Sequence, residues 1–366
     1  MRFKTQREIL LKPLQLVIGV VERRQTLPVL SNLLVVARED GISLTATDLE
    51  VELVAQADVE VDQVGEVTLP ARKLLDICRT LPEQATLEIA VDGERAQLRS
   101  GRSRFSLATL PASEFPTLDE IHGNLEFTLP QRAFRQVIER TQFSMAQQDV
   151  RYYLNGLMLE VTPDRLRSVA TDGHRLAVCD CPAEIAGADG QQVIVPRKGI
   201  QELARLLDDS DEAAGIAIGS NHFRLQLPQL RFTSKLIDGR FPDYERVLPK
   251  DNDKSLIANR DLLRQALVRT SILSNEKYRG IRMQLDDGRL RVQAHNPEQE
   301  EAEEEIEVQY GGGELEIGFN VNYLLDALNA LDADEVEIGL RDSNSSCLVH
   351  QPGTSECRYV IMPMRL

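Results

Sequence analysis

The chain has 366 residues, of which 42% are hydrophobic and 27% charged, a composition typical of a globular protein with two or three domains. No apolar run approaches the roughly 18 residues that a membrane-spanning helix needs, and the segment Met1 to Gln6 lacks the apolar stretch of a secretory signal. The formal net charge of −16 argues against tight binding to a polyanion through overall charge, because affinity for nucleic acid comes mainly from neutralised phosphates.

The first third of the chain combines helices with alternating strands. A helix is predicted over Arg7 to Val20, although Pro13 removes one backbone donor from it. The alternation of apolar and polar residues from Ile42 to Ala55 predicts strands. A second helix is predicted over Arg72 to Thr80, and the strands beyond it turn at Asp92-Gly93, a hairpin signal.

The same order of elements recurs twice. The spacing of roughly 125 residues is far longer than a solenoid repeat, so each copy is a whole domain. The predicted helices of the second and third copies are Phe134 to Phe143, Arg197 to Leu207, Leu262 to Leu273 and Val321 to Leu331. We therefore predict an α+β fold of three repeated domains, at residues 1–123, 124–250 and 251–366, each with two helices packed on antiparallel sheets.

Cysteine and glycine patterns indicate neither a disulfide framework nor a cofactor. The five cysteines, an odd number, are scattered at positions 78, 179, 181, 347 and 357, which favours a reducing cytoplasm. The pair Cys179 and Cys181 has no second pair at metal-binding spacing, so no metal is expected. The run Gly311 to Gly313 lacks the lysine that follows in a phosphate loop, so no nucleotide cofactor is expected.

One segment, Thr171 to Arg175, is the strongest candidate for catalysis, with Asp172 placed to orient His174. The sequence has no serine elbow and no cysteine nucleophile with suitable partners. A turn after a strand explains the segment more simply. The sequence therefore predicts a protein that is not an enzyme, with a hydrolytic enzyme built around His174 as a competing hypothesis.

Basic residues concentrate in the predicted helices, whereas acidic residues concentrate in strands and loops such as Asp48 to Asp62 and Glu298 to Glu307. One explanation is that lysine and arginine are good helix formers on solvated faces. The other is that the helices line one surface and present positive charge to a phosphate backbone. Such a surface holds DNA loosely and without sequence preference. An acidic scaffold that binds peptides and never contacts DNA is a third hypothesis.

The two ends of the chain carry segments of opposite charge. The basic edge consists of Lys73, Arg95, Arg102 and Arg104, and the acidic edge of Glu298, Glu300, Glu301, Glu303 and Glu304. Phe105, Ile272 and Leu273 are candidates for the apolar centre of a contact between these edges. A head-to-tail contact of this kind is heterologous, and it closes into a ring when the rotation allows.

The width of a helix limits the number of chains in such a ring. With helices about 10 Å wide, six in a circle leave a hole of roughly 9 Å, twelve leave roughly 28 Å and eighteen leave roughly 47 Å. Duplex DNA is roughly 20 Å across. If the helices line the inner wall, two chains fit a duplex best.

Several segments, in the same order, resemble one family over the full length of the chain. The most specific are Gln142 to Ala146, Asp149 to Gly156, Ala170 to Ala177, Asp238 to Tyr244 and Val360 to Leu366. In these segments the chain resembles the bacterial sliding clamps, the beta subunits of replicative DNA polymerase III. The resemblance implies a head-to-tail homodimeric ring in the cytoplasm, associated with the nucleoid, that encircles duplex DNA and tethers the polymerase as a processivity factor.

The resemblance also implies two sets of functional residues. The expected DNA contacts are Arg24, Arg72, Gln148, Tyr152 and Tyr153. The expected pocket for a short linear peptide comprises Leu154, Thr171, Gly173, His174, Arg175, Leu176, Pro242, Arg246, Val247, Ser346, Val360, Met362, Pro363, Met364 and Arg365. Its expected partners are the polymerase alpha subunit, the clamp-loader delta subunit, other DNA polymerases and repair proteins. Pliable methionines suit a cleft that serves several ligands.

Overall fold

The computed structural model describes residues 1–21, 27–118 and 124–365. The chain forms two units, one made of Met1–Arg132 with Gln201–Leu236 and the other of Ala133–Ile200 with Ile237–Leu366. The first predicted domain boundary, near residues 121–123, lies outside the described residues, and the boundaries stay a prediction. No helix in the described part of the chain is long and apolar enough to cross a membrane.

The described residues contain 25 strands. The first thirteen are Arg2–Gln6 (β1), Asn32–Arg38 (β2), Gly41–Thr47 (β3), Val51–Ala57 (β4), Glu60–Gln63 (β5), Gly65–Pro70 (β6), Thr86–Asp92 (β7), Arg95–Ser100 (β8), Ser103–Ala108 (β9), Leu125–Pro130 (β10), Gly156–Thr162 (β11), Arg165–Thr171 (β12) and Arg175–Pro182 (β13). The others are Gln191–Pro196 (β14), Ala213–Ile218 (β15), His222–Leu227 (β16), Leu230–Lys235 (β17), Lys254–Asn259 (β18), Gly280–Asp286 (β19), Arg289–His295 (β20), Glu301–Glu307 (β21), Leu315–Asn320 (β22), Glu335–Leu340 (β23), Cys347–His350 (β24) and Cys357–Ile361 (β25).

Six α-helices lie within the described residues, as predicted, and each begins at the residue that follows a strand. Their bounds are Arg7–Val17 (α1), Ala71–Thr80 (α2), Gln131–Glu139 (α3), Arg197–Leu206 (α4), Arg260–Ser271 (α5) and Val321–Ala330 (α6). Asn259 caps α5, because its side-chain oxygen accepts a hydrogen bond from the backbone N–H of Leu262 at 3.0 Å. Asn320 caps α6 in the same way.

The first helix ends three residues before its predicted end, and the chain continues as a 3₁₀ turn over Ile18–Val20. Pro13 lies inside α1 and is buried there with Leu10, Leu14 and Val17. A proline inside a helix costs about 3 kcal/mol, whereas each fully buried leucine contributes about 1.5–3 kcal/mol. The apolar face therefore offsets the missing backbone donor, and α1 persists through Pro13.

The first unit contains two antiparallel sheets. One has five strands in the order β5-β1-β7-β8-β9, and the other has eight in the order β10-β15-β16-β17-β4-β3-β2-β6. The larger sheet joins strands of the first and second predicted domains, because β4 pairs with β17 and places Leu53 opposite Phe232. Both of these side chains are fully buried.

The second unit is built in the same way. Its larger sheet has eight strands in the order β14-β11-β12-β13-β25-β24-β23-β18, and its smaller sheet has four in the order β21-β20-β19-β22. The larger sheet joins strands of the second and third predicted domains, because β13 pairs with β25.

The three domains repeat one order of elements. β4, β13 and β21 occupy the same place in that order, as do β9, β17 and β25. Each joint between domains pairs one strand of the first set with one of the second, as β4 with β17 and β13 with β25. The remaining members, β9 and β21, lie at the edges of the two smaller sheets.

The sequence favoured a chain without disulfides, and the structure corrects this. Cys179 on β13 and Cys357 on β25 form a disulfide with an S–S distance of 1.97 Å. The register of the two strands places them directly opposite each other. Cys78, Cys181 and Cys347 are free and buried. The pair was not predicted because 178 positions separate its members and no local pattern marks a cross-strand partner.

Candidate functional site

One face of the sheet that joins β13 to β25 carries a continuous apolar cluster, which we call the floor. Leu176 and Val178 on β13, Val360 on β25, Met158 on β11 and Val169 on β12 are buried in it. Met158 lies opposite Val169, and Val169 lies opposite Val178. Side chains alternate between the two faces of a strand, so these positions collect on one side of the sheet.

Two loop segments cover part of the floor. Leu154, at the end of a 3₁₀ turn, and Phe241 and Tyr244, which follow β17, are buried in the same cluster. The backbone N–H of Val247 donates to the carbonyl of Tyr244 at 3.0 Å and closes a second 3₁₀ turn. This turn presents Arg246 and Val247 at the surface, where both are exposed.

The C-terminal segment forms another side of the site. The backbone N–H of Met362 donates to the carbonyl of His174 at 3.0 Å, and the N–H of Met364 donates to the carbonyl of Gly318 at 2.8 Å. Met362 is 42% exposed, so a flexible apolar side chain is available to a ligand. Pro363 between them is half-buried.

Two clefts lie in the second unit, one at the turn that carries Arg246 and Val247 and one at the C-terminal segment. One, of about 450 Å³, is lined by Arg246, Val247, Leu248, Pro249, Lys250, Asp251, Asn252, Arg341, Ser345 and Ser346. The other, of about 380 Å³, is lined by Arg282, Glu316, Ile317, Gly318, Ser343, Asn344, Met364 and Arg365. Leu248 of the first cleft also packs against the floor, and Pro242 is exposed in the segment that leads to it. The structure thus brings most of the predicted pocket residues to one region of the second unit.

Hydrogen bonds assign the segment Thr171 to Arg175 to a turn. Thr171 Oγ1 donates to the carbonyl of Arg175 at 2.6 Å. Asp172 Oδ1 accepts from the backbone N–H groups of His174 at 2.9 Å and of Arg175 at 3.1 Å. Gly173 has a φ of 89°, a left-handed conformation that glycine adopts without steric cost. Asp172 therefore stabilises the turn rather than a catalytic pair with His174.

Arg175 supports the site from the opposite face of the sheet. It neighbours Leu176 of the floor, so its side chain points to the other side of β13. There it pairs with Asp326 on α6 and donates to the carbonyl of Phe143 at 2.6 Å. Its guanidinium also lies 4.5 Å from the ring centroid of Tyr323. These contacts join β13 to α6.

The predicted DNA contacts Gln148, Tyr152 and Tyr153 lie on one loop. Within it, Arg151 Nε and Nη2 donate to the two carboxylate oxygens of Asp149 at 3.0 and 2.8 Å. These bonds lower the pKa of Asp149 to about 2, so the pair is fully charged at neutral pH. Tyr152 is 57% exposed, whereas Tyr153 packs against the floor. The loop therefore presents one aromatic ring to solvent and anchors the next.

The helices are less cationic than their basic residues alone indicate. Arg72 is exposed on α2, as a phosphate contact requires, while Arg24 lies outside the described residues. Arg135 on α3 pairs with Glu139 one turn later at 2.8 Å, and α4 contains a similar pair. Acids on the same helices thus neutralise part of the predicted positive surface.

The residues predicted for a head-to-tail contact lie at or near the two free sheet edges. β9 carries Arg104 and Phe105, and β21 carries Glu301, Glu303 and Glu304. The exposed residues of the two sets are Lys73, Arg95, Arg102, Arg104, Ile272, Glu298, Glu300, Glu301 and Glu303, while Phe105, Leu273 and Glu304 are half-buried.

Part of the acidic edge is neutralised within the chain. Glu304 accepts two hydrogen bonds from Arg269 on α5, at 2.6 and 3.0 Å. Arg291 on β20 lies 3.5 Å from Glu303 and 3.3 Å from Glu305. Ile272, just beyond α5, is 73% exposed, so this end also offers apolar surface.

Comparison with known proteins identifies the family. Its three family models, described as the N-terminal, central and C-terminal domains of the DNA polymerase III beta subunit, match residues 1–119, 128–243 and 245–365. The chain belongs to the DNA polymerase III beta subunit family. The resemblance seen in the sequence is confirmed, as is the fold of three repeated domains.

Relatives match the whole chain. The beta sliding clamp of Pseudomonas aeruginosa is 59% identical and that of Escherichia coli (strain K12) is 54% identical, each with full coverage of both chains. The crystal structure of DNA polymerase III subunit beta from Pseudomonas aeruginosa superimposes with a TM-score of 0.98 at 58% identity, over 100% of both chains. A structure of this clamp bound to griselimycin gives 0.97 at 58% identity, also over 100% of both chains. The family is an accessory processivity subunit and not a catalytic enzyme.

The sequence did not predict a buried polar group beside the clamp's floor. Arg167 on β12 contacts Asp180 on β13 and the hydroxyl of Tyr244, and that hydroxyl contacts Glu160 on β11. One feature of the sequence could have indicated this group. Arg167 lies on the same side of β12 as Val169, at a position where the alternation predicts an apolar residue.

Proposed function

We propose that two copies of this clamp close head to tail into a ring around duplex DNA. The ring tethers the DNA polymerase III alpha subunit, the clamp-loader delta subunit and other polymerases and repair proteins through the cleft beside the floor. It holds DNA by topology rather than by sequence recognition. It works in the cytoplasm, on the DNA of the nucleoid.

This proposal rests on the free sheet edges formed by β9 and β21. Every joint between domains inside the chain pairs a strand of the β4, β13, β21 set with one of the β9, β17, β25 set. β21 and β9 have no such partner among the described strands of the chain. If β9 of one copy pairs with β21 of the other, the same joint is repeated twice more. The two edges differ, so the contact is heterologous, and two such contacts close a ring.

Side chains at the two edges are complementary. Arg104 is exposed on β9, and Glu301 and Glu303 are exposed on β21. Phe105 and the exposed Ile272 provide apolar surface for the same contact. Backbone hydrogen bonds supply the pairing, while opposite charges favour this partner and oppose the pairing of like edges.

Weak and non-specific DNA contacts are what sliding requires. Arg72 and the loop that carries Gln148 and Tyr152 offer a few exposed groups for phosphates and bases. A chain with a net charge of −16 does not gain affinity from its overall charge. The contacts therefore slow the ring little, and closure prevents its escape.

The cleft beside the floor accounts for tethering. Buried leucine, valine and methionine form the floor, and exposed Val247 and Met362 lie at its rim. Exposed Val247 and Met362, with the mixed polar and apolar lining of the cleft, suit an extended peptide that offers both apolar and polar side chains. Two similar clamps, from Pseudomonas aeruginosa and Bartonella birtlesii, have been crystallised bound to griselimycin.

Retention on circular DNA tests the proposal. The protein is loaded onto a nicked circular plasmid with a bacterial clamp loader and ATP, and free protein is removed by gel filtration. We expect the bound protein to remain with the circle in high salt, because closure does not depend on charge. A single cut in the circle should release it, because the ring slides off an end.

A linear plasmid of the same length is the matched control, and it should retain no protein after filtration. A phosphate-dependent binder would leave the circle and the linear form at the same salt concentration. That result would show that the protein does not encircle DNA.

A further inference from the structure

The turn over Tyr244–Arg246 is fastened to the sheet by one buried hydroxyl. Tyr244 Oη accepts a hydrogen bond from Arg167 Nη1 at 3.0 Å and donates one to Glu160 Oε2 at 3.0 Å. Burial raises the pKa of Tyr244, so the hydroxyl keeps its proton at neutral pH and makes both bonds. The turn is thereby connected to β12 and β11, two strands of the floor's own sheet.

The partners of Tyr244 are themselves held in place. Arg167 Nε and Nη2 donate to the two carboxylate oxygens of Asp180 at 2.5 and 2.9 Å. Gln192 on β14 donates to the other carboxylate oxygen of Glu160 at 2.7 Å. Bidentate bonds between ionised groups are strong and directional, so the hydroxyl of Tyr244 meets a fixed donor and a fixed acceptor.

The other two residues of the turn make more exposed contacts. The Glu245 carboxylate lies 3.8 Å from Arg167 Nη1, with its side chain 67% exposed. Glu245 and Arg246 are exposed. Arg246 pairs with Asp243 at 2.8 Å, but their side chains are 86% and 54% exposed, and exposed ion pairs contribute little to stability. Tyr244 is the buried residue of this turn, so its ring and hydroxyl anchor the turn to the sheet, together with Leu248, which packs against the floor just beyond it.

We infer that Tyr244 is a positioning residue for the peptide cleft: its hydroxyl, held by Arg167 and Glu160, fixes the turn that presents Arg246 and Val247 to a ligand. The inference rests on the proposed function of that cleft. Without the hydroxyl the turn samples open positions, and a ligand then binds only the fraction of molecules in which the turn is in place.

The variant Tyr244→Phe removes the hydroxyl and keeps the ring in the floor cluster. Tyr359→Phe is the matched control. Tyr359 is a buried tyrosine on β25 whose hydroxyl has no hydrogen-bond partner among the described residues, and its position next to Val360 places it on the opposite face of the same sheet. Each protein is titrated with griselimycin, and hydrogen exchange is measured over residues 241–249.

We expect the Kd of Tyr244→Phe for griselimycin to rise about fivefold, from the loss of a hydrogen bond to a charged group. Exchange over residues 241–249 should become faster, and saturating griselimycin should remove that difference. Tyr359→Phe should match the parent protein in both measurements.

Three outcomes count against the inference. Unchanged affinity in Tyr244→Phe, even with a lower melting temperature, would assign the hydroxyl to stability alone. Equal weakening in both variants would indicate general loosening of the core. A parent protein that does not bind griselimycin would remove the proposed cleft and the inference with it, whereas the first two results leave the cleft intact.

Discussion

Glu52 shows how a single buried carboxylate makes stability depend on pH. It lies on β4 with only 4% of its surface exposed. Its Oε2 accepts a hydrogen bond from the backbone N–H of Leu118 at 3.0 Å, and Arg231 lies 3.8 Å from Oε1. Burial nevertheless raises the pKa of Glu52 above the ordinary value of 4.5. The folded state therefore favours the protonated form more than the unfolded state does.

The sign of the pH effect follows from proton binding. Just above pH 4.5 the folded state binds more protons at Glu52 than the unfolded state, so the free energy of unfolding falls as pH rises through that window. Glu52→Gln removes this dependence. The measured quantity is the melting temperature of the variant minus that of the parent. We expect this difference to be larger at pH 7.5 than near pH 4.5, by on the order of 1–3 °C.

Calorimetry at several pH values measures this difference, and Glu50→Gln is the control. Glu50 is exposed and lies two positions before Glu52, so it provides the same chemical substitution at a site that is not buried. If the melting temperatures of Glu52→Gln and the parent differ by the same amount at every pH, Glu52 is not the source of the pH dependence.

At this scale the family resemblance predicts a set of pocket residues, but it does not give the contacts that each side chain makes. Leu176 could be assigned through the family resemblance, and alternation along β13 places it on one face with Val178. The role of Arg175 could not, because its partner Asp326 lies 151 positions away. Tyr244 was missed for the same reason, since its contact with Arg167 spans 77 positions.

Among the elements, the edge strands are the ones on which the proposed assembly depends. The joints between domains pair β4 with β17 and β13 with β25. The strands at the corresponding positions, β9 and β21, lie at sheet edges. The helices were predicted from their apolar period, and all six differ from prediction only at their ends. The fusion of sheets across domains was not predicted, because pairing between distant strands leaves no local pattern in the sequence.

Charge reversal on β9 tests the proposed edge contact. Arg102→Glu with Arg104→Glu places like charges opposite β21, and like-charged cross-strand pairs are each destabilising by about 0.2–1 kcal/mol. Internal pairing of Glu303 and Glu304 with arginines moderates the effect. We expect the dimer dissociation constant to rise about tenfold, as measured by sedimentation velocity over a concentration series. Arg38→Glu, at the exposed end of β2, is the control and should leave the mass distribution unchanged.

A dimer of unaltered stability in the charge-reversed variant would contradict the role of these arginines. The fold itself is not at risk, because both residues are exposed. Exposed substitutions away from caps and cores usually change stability by less than about 0.5 kcal/mol.

For the whole molecule, the net negative charge weakens DNA binding, whereas closure of the proposed ring retains the protein on DNA. The net charge of −16 keeps direct affinity low and dependent on salt. Closure needs no affinity, since a ring that encloses a duplex is lost only by opening or at a DNA end. Under the proposed function, retention depends on the contact between copies, and partner binding depends on the second unit of each chain.

Because the two functions are assigned to different parts of the chain, the Arg102→Glu, Arg104→Glu variant should lose retention on DNA and keep ligand binding. The floor and both clefts lie within the second unit of one chain, whereas β9 lies in the first unit. At concentrations where the variant is monomeric, we expect griselimycin to bind with the parent affinity to within about twofold. Retention on the nicked circle should be lost even in low salt, and raising the protein concentration until dimers return should restore it. Loss of griselimycin binding together with the dimer would show that the cleft needs the second copy, and retention by a monomer would show that the ring is not what holds the DNA.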